Sequence, residues 1–368
     1  MNRLKKKYVI TAAVLALMLY AFAAAGPVTE ETVLSYNWIK SVDAGYDEQF
    51  DGNEYTVPFE LGPRFGYISK DGQFSINMAR RAYISLSDYL WAEYGAQDES
   101  IAVKNPYDET VFNIEDGYGY PFFLDSKTFI MHAGQTSISR LEQRGMGQLK
   151  NDSPETAKIV WTYDFASSIT CVDAAAGLLL AGTLDGAIEL IDGAGRRVYF
   201  SEPSGSRISA VFGCALSKDG KKIALVSGLD KQRFIFIEQF GLTWRITFHE
   251  FLEEGLRRNL YVMFVDNDSK VAFERENALG IYDIKTRKSY NIPLDGDITA
   301  LDGSDNSDFL FLITSKNGYN KKLIGIKFPD IVIIEAPFNS EDAFLTLKDN
   351  NLFVGGGITI ASFAIEKK

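Results

Sequence analysis

The feature that most constrains the fold is a repeated unit of short apolar strands separated by tight polar turns. The unit reads SSITCVDAAAGLLLAGTLDGAIELID from Ser167 and SAVFGCALSKDGKKIALVSGLDKQRFIFIEQF from Ser209. Cys171 and Cys214 each precede a turn glycine by six residues. Asp-Gly turns favour β-hairpins, because glycine accepts a positive φ without strain. The pattern predicts an all-β fold in which each unit is one small antiparallel sheet.

The same rhythm recurs along the chain, which gives about seven units in all. The other units begin at Phe65, Tyr120, Tyr261, Ile298 and Ala343. A single sheet of this size cannot bury both of its faces. Radial packing of the sheets in a closed ring covers both faces and leaves only short edges.

Two segments carry a resemblance to a known superfamily. TCVDAAAGLLLAGTLDGAIELID and CALSKDGKKIALVSGLDKQRFIFIE resemble the blades of WD40-like and quinoprotein-like β-propellers. The Trp-Asp dipeptide that ends a WD40 blade is absent, since Ile191-Asp192 and Tyr282-Asp283 stand in its place. The resemblance covers residues 57–368 and leaves the subfamily unresolved. It implies a single β-propeller of about seven four-stranded blades.

The first 26 residues predict export. Arg3 and three lysines precede Tyr8–Ala25, a segment without charge. Its length lies between the ~7–15 residues of a signal-peptide core and the ~20 of a membrane-spanning helix. A cleaved signal peptide and a retained anchor helix therefore both stay open. Either one places the remaining chain outside the cytoplasm, in the periplasm or anchored to the inner membrane.

Residues 27–56 join this segment to the repeats, and two interpretations stay open for them. They form either a linker or, through Glu31–Val42, the fourth strand of the last blade. The last unit supplies only three good strands before the C-terminus, so pairing the two chain ends would close the ring.

The charge distribution argues against nucleic acid as a partner. The formal net charge is −11, and without the four basic residues near the N-terminus 34 basic residues face 49 acidic ones. A surface this acidic repels phosphate backbones. We therefore expect membrane contact only through the N-terminal segment.

The sequence singles out no catalytic, cofactor-binding or metal-binding residue, and we expect no cofactor. His132 and His249 are the only histidines, and neither has the spacing of a zinc site or a nucleophile elbow. The acidic run at Asp266–Asp268 is better explained by turn formation than by calcium binding.

Cys171 and Cys214 are the only cysteines, at matching positions of adjacent units. An exported protein can keep a disulfide. Equivalent strands of neighbouring blades are, however, often too far apart for the Cα separation of about 4.4–6.8 Å that a disulfide requires. Both a disulfide and simple packing therefore stay open for this pair.

The predicted function is a non-catalytic extracytoplasmic platform for protein partners of unknown identity in an envelope-associated complex. Long connections on a rigid scaffold often carry binding sites, and here they lie at Ala96–Gly119 and Arg144–Thr156. Next to the first is an aromatic group that we predict as a partner surface: Tyr118, Tyr120, Phe122 and Phe123. The alternatives are a periplasmic propeller enzyme of the quinoprotein or glycoside-hydrolase type, and a small-ligand or sugar-binding propeller.

Overall fold

The computed structural model describes most of the chain after residue 31. The described residues are 32–43, 50–51, 56–69, 71–81, 83–95, 100–115, 119–142, 155–203, 205–252, 255–303 and 308–367. Tyr36–Ala364 form one compact unit. Residues 32–35 and 365–367 belong to a second unit, and they are the first residues of one strand and the last residues of another. The predicted signal peptide or anchor at 1–26 lies outside the described residues.

Every regular element in the described residues is a β-strand, and the strands form eight sheets, called blades I to VIII. Blades IV to VII are four-stranded antiparallel meanders. Their strands, in chain order, are β14 (Ile169–Ala175), β15 (Leu178–Thr183), β16 (Ile188–Ile191) and β17 (Arg197–Ser201); β18 (Val211–Leu216), β19 (Lys222–Ser227), β20 (Arg233–Phe240) and β21 (Thr243–Phe251); β22 (Val262–Val265), β23 (Lys270–Arg275), β24 (Ala278–Asp283) and β25 (Lys288–Pro293); and β26 (Asp297–Asp302), β27 (Phe309–Ser315), β28 (Asn320–Lys327) and β29 (Ile331–Asn339).

Blades I to III are less regular. Blade I has three strands, blade II has five, and blade III has four. These strands are β2 (Thr56–Leu61), β3 (Arg64–Ser69) and β4 (Phe74–Met78); β5 (Tyr83–Leu86), β6 (Trp91–Tyr94), β7 (Ser100–Lys104), β8 (Thr110–Glu115) and β12 (Glu155–Thr156); and β9 (Gly119–Leu124), β10 (Lys127–His132), β11 (Ser137–Glu142) and β13 (Lys158–Asp164). The short β12 pairs in parallel with β8, so the chain adds a strand to blade II between two strands of blade III.

The all-β propeller architecture is confirmed, but the prediction of about seven four-stranded blades is wrong, because the described residues form eight blades of three to five strands. The run from Phe65 to Tyr94, taken as one unit, crosses from blade I into blade II. Ala96–Gly119, taken as a long connection, contains β7 and β8. Among the described residues blade I has three strands, without a fourth to mark its end, and β7 and β8 mix polar with apolar residues. Both features hid a blade boundary.

Blade VIII contains strands from both ends of the described chain. Its order is β1 (Thr32–Ser41), β32 (Thr359–Lys367), β31 (Asn351–Gly356) and β30 (Ala343–Lys348). The Asn37 side-chain amide donates to Ser362 Oγ at 3.3 Å and to Asn351 Oδ1 at 3.2 Å. Strand β1 therefore occupies the outer position that the last three strands leave open.

The hydrophobic core is divided among the spaces between consecutive blades. In β15 Leu179 packs in a cluster shared with blade III, whereas Leu180 packs in a cluster shared with blade V. Alternate side chains of one strand thus enter two different cores, because successive residues of a strand point to opposite faces. The first strands also contact one another from blade to blade, as β14 does with β18 and β18 with β22. This arrangement places the first strands at the centre of the ring.

In the part of the chain that the structure describes, no helix has the length and hydropathy required to cross a membrane.

Ring closure yields a direct test at Trp38 of β1. Its indole lies 5.8 Å from the Phe74 ring of blade I and 6.1 Å from the Phe353 ring of blade VIII, measured between ring centroids. We expect Trp38→Ala to lower the free energy of unfolding by about 2–3 kcal/mol, because it removes an aromatic side chain that packs against both blades. Urea unfolding measures this change.

Ile39→Ala on the same strand is the matched control, because the Ile39 side chain is 58% exposed. Its expected effect stays within about 0.5 kcal/mol. Equal losses for the two variants would show that β1 contributes strand pairing alone and that Trp38 does not join the two blades.

Candidate functional site

The two ends of the blades form two different faces of the ring. In blades IV to VIII, the turn between the second and third strands is hydrogen-bonded to the segment that leads to the following blade, and we call this side the upper face. The bonds are Ser209 Oγ to Asp185 O, Gln232 Nε2 to Leu256 O, Leu294 N to Asn277 O, Ser340 N to Tyr319 O, and Val42 N to Ile358 O. Because the strands are antiparallel, the other turns lie at the opposite end, on the lower face.

Large apolar side chains project from the upper face. They lie on the turns of blades IV, VII and VIII and on the connections that follow blades IV and V. They are Leu184, Ile208, Tyr261, Tyr319 and Ile358, and all of them are solvent-exposed. Contiguous apolar patches mark protein–protein contact surfaces, whereas single exposed apolar residues are ordinary, so these five residues make the upper face a candidate contact surface.

The turns of the lower face are charged. Salt bridges form within or beside them, as in Lys127–Asp125 at 2.6 Å and Arg196–Asp192 at 2.7 Å. Two large apolar residues are also exposed on turns at this end: Tyr89 at the β5–β6 turn, and Leu242 at the β20–β21 turn, which is 100% exposed. Salt bridges occur on the upper face too, as in Lys316–Asp295 at 3.0 Å, but the upper face exposes more large apolar side chains and is the better candidate for an apolar contact.

Aspartates of the lower face and of the first strands also join neighbouring blades. Asp125 Oδ2 accepts from Gly177 N at 3.0 Å, Asp173 Oδ2 from Leu216 N at 2.7 Å, Asp268 Oδ2 from Lys218 N at 2.6 Å, and Asp302 Oδ2 from Leu347 N at 2.7 Å. Each bond satisfies a backbone donor of an adjacent blade. These carboxylates therefore have a structural function, which explains the acidic turns without calcium. Within the described ranges, no group of three or more His, Cys, Asp or Glu residues could hold a metal ion.

A groove runs between the first strands of blades IV, V and VI, and we call it the inner groove. It consists of two cavities of about 590 Å³ and about 320 Å³, both lined by Val172 and Cys214. Other residues of the larger cavity include Thr170, Cys171 and Asn259, and those of the smaller include Asp173, Lys218 and Asp268. The walls are therefore mixed in polarity, with two thiols near the middle.

Asp173 is the strongly perturbed acid of this groove. Burial, with a smaller effect of the nearby carboxylates Asp125 and Asp268, raises its pKa to about 6 against the opposing effect of hydrogen bonds from the backbone of Leu216 and Ala174. Burial also raises the pKa of Asp268. The groove therefore favours neutral carboxyl groups more than solvent does.

The two cysteines meet in the groove wall as free thiols. A hydrogen bond to the Cys171 side chain and burial raise the pKa of the Cys214 thiol well above its ordinary range. A thiol with a raised pKa is a poor nucleophile at neutral pH, because the thiolate is the reactive form. Cys214 is therefore not an activated nucleophile.

The prediction that the two cysteines occupy matching positions is wrong, because their positions in the two blades differ by one residue. Cys171 pairs with Gly182, one step beyond a bulge, and Gly213 occupies the equivalent place in blade V, opposite Val226. Cys214 is therefore equivalent to Val172. The equal spacing from each cysteine to its turn glycine predicted equivalent positions wrongly. Blade IV turns through Ala176 and Gly177, whereas the turn of blade V is longer.

Neither histidine belongs to a catalytic arrangement. The Nε2 atom of His132 lies 2.8 Å from Ser139 Oγ, which is 2.7 Å from Thr162 Oγ1. This chain of hydrogen bonds links three strands of blade III and contains no carboxylate. His249 is exposed on the outer strand β21, edge-on to Phe251.

The predicted aromatic partner surface is distributed between two cores. Tyr118 lies outside the described residues. Tyr120 and Phe123 pack in the cluster between blades II and III, and Phe122 packs in the cluster between blades III and IV. All three are half-buried, and their role in partner binding stays a prediction.

Sequence reasoning missed the apolar tips of the upper face. The signal was present as large apolar residues inside otherwise polar turns, such as Leu184 in TLDG and Tyr319 in NGYN. Polar residues usually dominate tight turns. A large apolar residue in a tight turn is consequently a stronger indication of a contact surface than one in a strand.

Comparison with known proteins agrees with this architecture. A sequence model of the family described as beta-propeller protein matches residues 1–368. The chain belongs to the β-propeller protein family. This β-propeller protein is 25% identical over 376 residues to an uncharacterized protein of Treponema pallidum (strain Nichols), a match that covers 98% of this chain and 94% of the relative. In structure it is similar to BamB from Moraxella catarrhalis, with a TM-score of 0.59 and 11% identity over 90% of this chain and 100% of that one. The likeness to BamB shows the fold alone.

The raised pKa of Asp173 predicts a pH dependence of the propeller's stability. Between the unfolded value near 3.8 and the folded value of about 6, the folded state binds a proton that the unfolded chain has released. Stability from this group is therefore present at low pH and is lost as the pH rises through about 6. From pH 5 to 7.5 we expect the wild type to lose about 1–1.5 kcal/mol relative to Asp173→Asn.

Urea unfolding of both proteins at several pH values measures this difference. Asp219→Asn is a suitable control, because despite partial burial hydrogen bonds from Ser217 and Lys221 lower the pKa of Asp219. Its difference from the wild type stays constant between pH 5 and 7.5. A constant difference for Asp173→Asn as well would contradict the assigned burial effect.

Proposed function

We propose that this β-propeller is a non-catalytic platform that binds a protein partner outside the cytoplasm, through its upper face. The exposed apolar turns of that face carry the proposal. The export pattern of the first 26 residues supports the location, and it is compatible with an envelope-associated complex.

The rigidity of the scaffold favours binding over a large conformational response. Aspartate side chains accept hydrogen bonds from backbone N–H groups of adjacent blades, and separate hydrophobic cores fill the spaces between blades. Both hold the turns in place. A preorganised surface loses little conformational entropy on binding, which favours affinity. Apolar side chains on such turns can then serve as anchors in a partner's pockets.

A small ligand in the inner groove is the second candidate function. The larger cavity, about 590 Å³, has a volume in the range of ligand pockets, and it combines apolar and polar walls. A catalytic function has less support. The described residues offer raised thiol and carboxyl pKa values in the groove, but they lack an activated nucleophile.

The upper face is tested by the double variant Leu184→Ser/Ile208→Ser. The two side chains are 57% and 53% exposed, and the turn of the first is hydrogen-bonded to the segment of the second through Ser209 and Asp185. Affinity capture of the tagged full-length protein from its own envelope fraction, with quantitative mass spectrometry, should show a stoichiometric protein that the double variant loses by about 30-fold or more.

Leu242→Ser is the control, because it removes a fully exposed leucine of the lower face. We expect it to capture the partner as the wild type does. The proposal fails if the wild type captures no stoichiometric protein, or if the two variants lose it equally. Recovery of the N-terminus at Met1 or beyond the apolar segment, in the same spectra, decides between anchor and cleaved signal.

A further inference from the structure

The one-residue offset between Cys171 and Cys214 makes their side chains face each other. Side chains of β14 alternate, so Val172 packs toward blade III and Cys171 toward blade V. In β18 Cys214 and Leu216 pack into the same cluster from the opposite side. Two cysteines at truly equivalent positions would point in the same direction around the ring. Cys171 of blade IV and Cys214 of blade V therefore face each other.

Gly182 leaves the space in which the two thiols meet. It pairs with Cys171 in the adjacent strand, and a Cβ atom there would lie 2.7 Å from Cys171 Sγ and 2.7 Å from Val211 Cγ1. The Cys214 side chain packs in the same cluster as Cys171 and lines the same cavity. Glycine at this position consequently lets a side chain of blade V approach Cys171 in blade IV.

We propose that Cys171 and Cys214 form a reversible disulfide that links blade IV to blade V in the wall of the inner groove. The two side chains pack in one cluster and line one cavity, and Gly182 leaves space beside Cys171. The inference rests on this geometry alone and is independent of the proposed platform function.

The bond forms by thiol–disulfide exchange with a small-molecule disulfide as the oxidant. Cys171 is the more accessible of the two, because Cys214 is buried. Its thiolate attacks one sulfur of the oxidant, forms a mixed disulfide and releases one thiolate. The Cys214 thiolate then displaces the second thiolate from Cys171. The two cysteines lose two protons and two electrons, and the oxidant leaves as two thiols.

Oxidation has a structural consequence for the groove. Both thiols line the larger cavity, and Cys214 also lines the smaller one. A covalent link there fixes the separation of β14 and β18 and removes both S–H groups from the wall. The bond closes a loop of the intervening chain, which restricts the unfolded state more than the folded state.

Equilibration of the full-length protein with oxidised and reduced glutathione tests the proposal. After denaturation and alkylation of free thiols, mass spectrometry should identify a peptide that joins Cys171 to Cys214 in oxidising buffer and its complete loss in reducing buffer. The oxidised wild type should unfold at a higher urea concentration than the reduced protein. Cys171→Ser and Cys214→Ser should each remove both the joined peptide and the shift.

Gly182→Ala provides a variant that keeps both cysteines. Its added methyl group crowds Cys171, and we expect at least a tenfold slower formation of the joined peptide at equal oxidant. Unfolding of each variant in reducing buffer shows whether it is folded before oxidation. The proposal is overturned if folded wild type keeps two alkylatable thiols in oxidising buffer, or if its cysteines form only mixed or intermolecular disulfides.

Discussion

Covering the two apolar faces of every sheet is the constraint on which this structure depends. Strands such as β27, in which every residue is buried, cannot exist in an isolated sheet in water. Each blade requires a neighbour on both sides, and a row of blades would leave two faces uncovered. The ring removes these faces, and β1 provides the outer strand of the blade in which the chain ends meet. Trp38 then packs against both blade VIII and blade I.

The strands fill the cores between the blades. The residues that differ in chemistry from blade to blade therefore lie in the turns and at the edges of the first strands. On the lower face the turns carry charges, and their aspartates bind backbone donors of adjacent blades. On the upper face several turns expose large apolar side chains. At the centre, the edges of β14, β18 and β22 form the inner groove. Architecture and candidate function therefore occupy separate parts of each blade.

The repeat pattern predicted the fold class because Asp-Gly turns and apolar strands are local signals. Blade IV, with its turns at Gly177, Gly186 and Asp192–Gly195, could be read almost strand by strand. The predicted number of blades was wrong because local signals were weak in the three-stranded blade I and in β7 and β8, which mix polar with apolar residues. The candidate site was harder to predict, because the strand register decides which side chains of neighbouring blades face each other. Blades IV and V share the same bulge but differ in the length of the following turn, so the spacing to the turn glycine does not give the register of Cys214.

The central claim is that one face of the ring makes the contact with a protein partner. Cross-linking mass spectrometry on the full-length protein in its intact envelope tests it most directly, with a photoreactive amino acid placed in turn at Leu184, Ile208 and Tyr319 of the upper face and at Leu242 and Asp349 of the lower face. The account predicts cross-links to one protein from the upper positions and background labelling from the lower ones. Cross-links to that protein from the lower positions, with none from the upper, would contradict it.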